Sequence, residues 1–392
     1  MAIWRHLHDI GTRAGWRPTV RAVLVAGIFG LSLLSMGHGR GAAMAGRAWG
    51  GVIPVPATGA SVGGPILLLI PDSVAARATL VAARPGRPAQ ILVRDLPSQT
   101  ALAPGPDGRS IALGEGGRGL WVIDIDRPRP RRVVMVPAAR AHANPALAVE
   151  DVAWSPAPGH CMLAYALAVG TQEMIYEVNS DPRLGVWLVG CDGTHPRQLI
   201  AARRFGVLGG VPFGVGFPGL NALSWSPDGR RVLIVTGTGL IVVDATTGQA
   251  RSLVRARSLA LARGAQAEVP AAAYSPTSSG LFYLVDRGDI AEYDYTLVVA
   301  DAQGHSARAL LHSTDLLMSP VWTPDGRGIA YLWQRHVGVR VRVAPPLEVR
   351  EVDLATRRIR RVALPPSPLP LQDGTSGRVA MAWMPARPAR SR

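Results

Sequence analysis

Lysine is absent from this chain, and cysteine occurs only twice, at Cys161 and Cys191. Without lysine there is no Schiff-base and no Ser-Lys chemistry, and all positive side-chain charge apart from histidine is arginine. The nine histidines form no H-E-x-x-H, no H-x-E and no Cys/His cluster at zinc spacing, so no metal site is legible locally. Long apolar runs are missing too. The uncharged stretch from Ala22 to Met36 falls short of the roughly 20 residues that span a bilayer comfortably. Charged residues make up only 18% of the chain but hydrophobic ones 48%, which excludes wholesale disorder and supplies a sizeable core.

The first 45 residues have the layout of a targeting element. Arg5, Arg13, Arg17 and Arg21 precede the apolar run, and Ala43-Met44-Ala45 fits an A-x-A cleavage pattern before Gly46. Residues 1–45 are therefore expected to be a signal peptide or, uncleaved, an N-terminal membrane anchor, with a Gly/Ala/Pro-rich linker over residues 46–62. The chain is expected to be exported: periplasmic, extracellular or anchored at the cell surface. Membrane contact is expected only through an uncleaved N-terminus. The formal net charge is +15, and residues 1–45 hold five arginines and one aspartate, so the remainder carries +11. Export turns that charge away from nucleic acid and toward an anionic surface, lipid or polyanion. Arginine spread over turns also reads as a solvated surface with no partner.

A repeat organises the rest of the chain: a small apolar strand ending in an aromatic residue, then Ser/Thr-Pro, a turn and a β-rich run. Copies stand at Val152-Ala153-Trp154-Ser155-Pro156, Leu223-Ser224-Trp225-Ser226-Pro227-Asp228-Gly229, Ala273-Tyr274-Ser275-Pro276 and Val321-Trp322-Thr323-Pro324-Asp325-Gly326. A degenerate copy lies at Ala103 to Gly108 and a last one at Ala382-Trp383-Met384-Pro385. Pro fixes φ, Asp bonds its own backbone and Gly accepts positive φ, so Asp107, Asp228 and Asp325 read as turn residues, not as catalytic carboxylates. Strands such as Val232 to Thr236, Leu240 to Asp244 and Ala250 to Val254 follow, at the spacing of a four-stranded antiparallel blade.

These residues resemble the TolB-like, WD-like β-propeller repeat family, and the passage from Leu188 to Ile200 is similar to that family's C-to-D passage. The resemblance covers residues 63–392 and implies an all-β, six-bladed propeller in an exported protein. TolB itself has an α/β domain ahead of its propeller, and a match to that domain is not expected here. The first blade reads as strands B, C and D over Ile66 to Ile70, Thr79 to Ala83 and Ala89 to Val93, with no A strand of its own. Val379 to Trp383 is an A strand with nothing after it, so the two ends should pair and close the ring. Blades two to six centre on residues 100–136, 149–200, 220–255, 268–312 and 318–365.

Several letter patterns suggest chemistry. Gly114-Glu115-Gly116-Gly117-Arg118-Gly119 spells G-x-G-x-x-G, but a strand-like run follows where a dinucleotide site needs a helix, so it reads as a B-to-C hairpin. Gly59-Ala60-Ser61-Val62-Gly63 spells a nucleophile elbow but sits in the linker. The aromatic set Trp154, Trp225, Tyr274, Trp322 and Trp383 recurs at one repeat position, which says inter-blade packing; Trp121 and Trp187 read as packing residues too. Lactonase-like propellers bind a divalent cation around the channel, and Glu150, Asp151 and Asn221 stand at the starts of two neighbouring A strands. They are the candidate ligands of a metal-dependent hydrolase reading; otherwise no cofactor is expected.

The long insertions are Thr171 to Arg183, Ala201 to Gly219, Ala256 to Glu268, Arg287 to Asp294 and Gln334 to Pro346, every one a B-to-C or D-to-A connection. One face is thereby elaborated, and long irregular loops are usually functional. Arg203, Arg204, Phe205, Phe213 and Phe217 make its most unusual part, a contact for a protein or envelope ligand or else a lid over the channel. The expected function is a non-catalytic interaction or ligand-binding module. Cys161 and Cys191 complete the reading. Counted from Trp154, Cys161 takes the place of Val232 at the start of strand B, and alignment of Gly190 with Asp244 puts Cys191 at the end of strand C. Adjacent antiparallel strands hold such residues near 5.5 Å apart, close enough for a disulfide in an oxidising compartment; two separate buried thiols are the alternative.

Overall fold

The computed structural model describes residues 63–387 apart from 72–76, 85–86, 98–99, 116–118, 137–146, 158–160, 170–181, 205–222, 237–238, 256–267, 289–292, 337–345 and 365–378. The leader, the linker and Asn221, Phe205, Phe213 and Phe217 lie outside the described residues.

Blade one consists of β1 (Ile66–Pro71), β2 (Arg77–Arg84) and β3 (Arg87–Pro97). Blade two has β4 (Ala101–Pro104), β5 (Ser110–Glu115), β6 (Gly119–Asp124) and β7 (Arg131–Val134). Blade three has β8 (Leu147–Trp154), β9 (Met162–Val169), β10 (Gly185–Gly190) and β11 (Arg197–Ala201). Blade four has β12 (Leu223–Trp225), β13 (Arg231–Val235), β14 (Gly239–Asp244) and β15 (Ala250–Arg255). Blade five has β16 (Glu268–Tyr274), β17 (Gly280–Asp286), β18 (Tyr295–Asp301) and β19 (Arg308–Ser313). Blade six has β20 (Leu316–Trp322), β21 (Gly328–Gln334), β22 (Glu348–Asp353) and β23 (Ile359–Arg361), and β24 (Ala380–Trp383) returns to blade one. The result is six four-stranded antiparallel sheets, the first ordered β24-β1-β2-β3.

Ring closure is therefore as the repeat bookkeeping requires. Ile66 pairs with Trp383, Leu67 with Ala382, Leu68 with Met381 and Leu69 with Ala380. Reciprocal bonds from Gly64 N to Met384 O (3.1 Å) and from Met384 N to Pro65 O (3.0 Å) extend the ladder. Beyond it Arg387 reaches Asp126 of blade two at 2.6 Å, tying the last described residue to the next blade.

Each B strand is apolar at nearly every position because both of its faces are covered. In β1, Leu67 and Leu69 pack toward blade two while Ile66, Leu68 and Ile70 pack toward blade six. In β17, Leu281, Tyr283 and Val285 face blade four and Phe282 and Leu284 face blade six. The period-2 alternation of a strand thus feeds two neighbouring inter-blade layers, and the core is a ring of such layers. Exposure rises outward: β3, β7 and β19 have mostly exposed or half-buried residues. All six outer strands carry arginine: Arg87, Arg131, Arg197, Arg251, Arg308 and Arg360 are examples. Cationic side chains on an exposed edge discourage pairing with another chain, which gives part of the arginine excess a structural role.

Where the G-x-G-x-x-G letters stand, β5 and β6 pair as antiparallel neighbours with Glu115 opposite Gly119, and no helix follows. Gly119 has φ +121°, and a Cβ there would run into the Val134 carbonyl oxygen. The clash is with backbone, so Gly119→Ala is expected to destabilise by about 2 kcal/mol, measured by chemical denaturation, whereas a neutral effect would remove the steric account.

Candidate functional site

The short A-to-B turns are closed by carboxylates. Asp228 Oδ1 accepts from Ser226 Oγ at 2.5 Å and from Arg230 N at 3.0 Å, and Ser226 Oγ accepts in turn from Arg231 N at 2.9 Å. Asp325 repeats this with Thr323 Oγ1 (2.6 Å) and Arg327 N (3.1 Å), and Asp107 with Arg109 N (2.9 Å) and Ser110 N (2.8 Å). Gly108, Gly229 and Gly326 all have positive φ, 64°, 67° and 67°. At the C-to-D turns Asp244 and Asp353 each accept from a threonine N–H and hydroxyl. All three A-to-B aspartates are turn residues, so none is free for chemistry.

These bonds hold the turn carboxyls below their ordinary range: Ser226 acts on Asp228, the Thr247 backbone on Asp244 and the Thr356 backbone on Asp353, while at Asp107 and Asp325 hydrogen bonds outweigh burial. A carboxyl depressed in the folded state contributes stability above its unfolded pKa, and that stability is lost as pH falls through the folded value. Glu150 and Asp286 are shifted the other way, chiefly by burial, so protonation relieves a cost there. The melting temperature is expected to rise slightly as pH falls toward the ordinary carboxylate range and to drop once pH passes below about 4. A melting temperature unchanged down to pH 2 would contradict this.

The aromatic set packs between blades and also donates backward. Trp154 Nε1 bonds Ala103 O (3.0 Å), Trp225 Nε1 bonds Ala153 O (3.3 Å) and Trp322 Nε1 bonds Ala273 O (3.0 Å), each acceptor being in the preceding blade. Trp383 instead bonds Gly64 O at 3.2 Å, the chain start of its own blade. Trp121 lies in β6 with the Arg132 guanidinium 5.6 Å from its ring centre, and Trp187 Nε1 bonds Arg183 O at 2.8 Å.

The A strands touch one another in ring order and form the inner wall. Asp151 is buried in β8, and its Oδ2 accepts from Leu223 N of blade four at 2.6 Å. Ser319 does a related job in blade six, its hydroxyl donating to Val379 O at 3.2 Å. Glu150 stands where the β8–β9 register shifts, half-buried, and burial pushes its carboxyl up. The structure thus places Glu150 and Asp151 together on an inner strand, with Asp151 occupied by the neighbouring backbone. Among the described residues no three His, Cys, Asp or Glu side chains are grouped to hold a metal.

At the opposite end from the short turns, where the B-to-C and D-to-A connections leave the blades, Arg203 and Arg204 are exposed in a helical turn just after β11. Blades five and six bring together a polar and aromatic group that sequence reasoning missed. Asp294 bonds His312 at 2.9 Å, the Tyr293 ring meets His336 edge-on at 5.1 Å, and His336 N donates to Asp315 at 2.9 Å. Glu268 lies opposite Asp286, whose carboxyl is raised by burial first and then by Glu268 and Asp294. These residues come from separate strands and linkers with no shared motif, so no local signal could have found them.

Cys161 and Cys191 form a disulfide with Cα atoms 5.4 Å apart, which fits an oxidising compartment. Cys191 follows Gly190 at the end of strand C as expected, whereas the repeat position of Cys161 differs from the expected one. Trp154 pairs with Leu163 whereas Trp225 pairs with Val232, so the A-to-B turn of blade three is two residues longer and Cys161 takes the place of Arg230, not of Val232. The bond from Cys191 N to Cys161 O (3.1 Å) matches that from Ala245 N to Arg230 O (2.8 Å).

No family model matches this chain. Short stretches are similar to curated relatives. One is 49% identical over 41 residues to the Tol-Pal system protein TolB of Thioalkalivibrio sulfidiphilus, covering 10% of this chain and 9% of that one. Another is 37% identical over 59 residues to the Tol-Pal system protein TolB of a Marinomonas species, covering 15% and 14%. The first of these matches therefore spans under a tenth of the relative's length. Among solved structures, TolB from Acinetobacter baumannii has a TM-score of 0.53 at 13% identity, covering 83% of this chain and 67% of that one, a likeness of fold.

Proposed function

Starting from a six-bladed β-propeller built of TolB-like repeats, we propose that this chain is an exported, non-catalytic interaction module that binds a protein or envelope ligand through its long-connection end. The observation that carries this reading is the contrast between the two ends. Short turns closed by Asp107, Asp228, Asp244, Asp325 and Asp353 line one end. The strands that flank residues 170–181, 205–222, 256–267 and 337–345 end at the other, and Arg203 and Arg204 are exposed there after β11. A rigid scaffold that varies on one face is how binding surfaces are commonly built. Deleting residues 205–219 tests the reading by affinity capture from envelope extract. Partner capture is expected to be lost while the melting temperature is kept, and undiminished capture would move the site elsewhere.

A second reading, a metal-dependent hydrolase at the channel, is favoured by one observation, the raised carboxyl of Glu150 beside Asp151 on the inner wall. Elemental analysis of purified protein and of Glu150→Gln separates the two. Stoichiometric calcium or zinc that the variant loses would replace the binding-module reading.

A further inference from the structure

Positive charge is not spread evenly around the ring. In the short turns of blades one and two, counted from the last residue of one strand to the first of the next and including the chain end after β24, seven arginines stand against Asp107, Asp124 and Asp126. The same turns of blades four and five hold three, Arg230, Arg231 and Arg308, against Asp228, Asp244 and Asp301. The excess is therefore local, and evenly solvated turns do not account for it.

These arginines occupy both the inner and the outer turns of two neighbouring blades. Arg387 follows β24 at the place of an inner, A-to-B turn, and Arg109 lies in the A-to-B turn of blade two. Arg84 and Arg87 flank the outer, C-to-D turn of blade one, and Arg127 and Arg129 lie in that of blade two. Asp126 gathers the group: it accepts from Arg387 Nη2 at 2.6 Å and stands 3.7 Å from Arg109 Nη2. Its carboxyl is held low by the Arg387 hydrogen bond first, then by the charges of Arg387, Arg109 and Arg84. Arg131, the seventh, is spent on Cys191 O at 2.8 Å. Arg87, Arg127 and Arg129 are exposed, and among the described residues none of them has a carboxylate within 4.0 Å. Pro128 and Pro130 fix φ on either side of Arg129, so little backbone freedom is left to lose on binding.

We propose that the short-turn end of blades one and two docks on an anionic phospholipid bilayer, with Arg87, Arg127 and Arg129 among the headgroups. Cations laid out over inner and outer turns of two blades form a two-dimensional array, which matches a plane of phosphates; a linear polyanion is matched by a row of cations. Each arginine near an anionic leaflet strengthens adsorption by about fivefold, and the attraction fades within a Debye length. Docking in this way turns the long-connection end away from the membrane and toward a partner, although the patch rests on no reading of that partner.

Co-flotation of the full chain with vesicles tests the assignment, using pure phosphatidylcholine and equal parts of phosphatidylcholine and phosphatidylglycerol. Stronger partition to the phosphatidylglycerol vesicles is expected, falling as salt is raised. Replacing Arg87, Arg127 and Arg129 together by glutamine should weaken that partition by about a hundredfold. The control, Arg230→Gln with Arg251→Gln and Arg327→Gln, removes the same charge from exposed positions in blades four and six and should stay within about twofold of the parent chain. The proposal is overturned if anionic vesicles are bound no better than neutral ones, or if the two triple variants, with unchanged melting temperatures, weaken binding alike or not at all. Tighter binding of long-chain polyphosphate at equal phosphate concentration would also overturn it, in favour of a linear polyanion. Should the first triple variant fail to fold, Arg127→Gln and Arg129→Gln singly, each with an expected loss of about fivefold, still decide.

Discussion

A chain truncated after Pro368 is expected to be insoluble or to unfold at low temperature, because it loses the strand that closes the ring. Ala380, Met381, Ala382, Trp383 and Met384 are all buried. Losing the Trp383 and Met381 side chains alone costs on the order of 5–10 kcal/mol at the usual values for buried large residues, comparable with the whole stability of a typical domain. The truncation also bares the edge of β1 over Ile66 to Leu69, an apolar strand with unpaired backbone groups, so self-association should accompany the loss. Sedimentation and thermal melts check both effects. A synthetic peptide of residues 375–392 supplied in trans should restore part of the solubility by pairing with that edge. A soluble monomer as stable as the full chain would show that the β1–β24 pairing does not hold the ring.

Reduction of the Cys161–Cys191 disulfide, or Cys161→Ala with Cys191→Ala, is expected to lower stability by about 3.6 kcal/mol, the chain-entropy value for a 30-residue loop. With an unfolding entropy of about 2.1 cal/mol/K per residue over roughly 330 residues, the melting temperature should fall by about 5 °C. The loop enclosed contains β9 and β10 and the long connection between them, so the bridge holds the two ends of blade three's widest excursion. Titration of the unfolded, unreduced protein should find no free thiol. Two free thiols per chain, or a melting temperature indifferent to reductant, would contradict the assignment and with it the case for an oxidising compartment.

Much of this architecture was legible because the repeat writes its own turns. Ser/Thr-Pro-Asp-Gly needs only local geometry, a fixed φ at proline, a carboxylate over its own backbone and a glycine with positive φ, so Asp228 and Asp325 could be placed without knowing what surrounds them. The recurrence of Trp154, Trp225, Trp322 and Trp383 at one repeat position likewise announced packing. What the repeat could not convey is the acceptor each indole reaches. The disulfide was legible from antiparallel neighbours, while its repeat position was misjudged, since a turn two residues longer keeps the strand parity and hence the pairing, but shifts the count.

The amino-acid pattern by itself determined strand order, blade number, the pairing of the two chain ends and the nature of the short turns. These follow from period-2 alternation and turn chemistry, interactions between residues close in sequence or repeated at equal spacing. Only the tertiary structure decided that Asp151 is committed to Leu223 N, that Tyr293, Asp294, His312 and His336 share one end of blades five and six, and that Arg131 and Arg197 each reach a backbone carbonyl of the next blade. Each of those contacts crosses between separate strands, most of them between neighbouring blades. Which side chains meet there depends on blade tilt and on bulges such as that at Glu150, and neither leaves a periodic mark in the sequence.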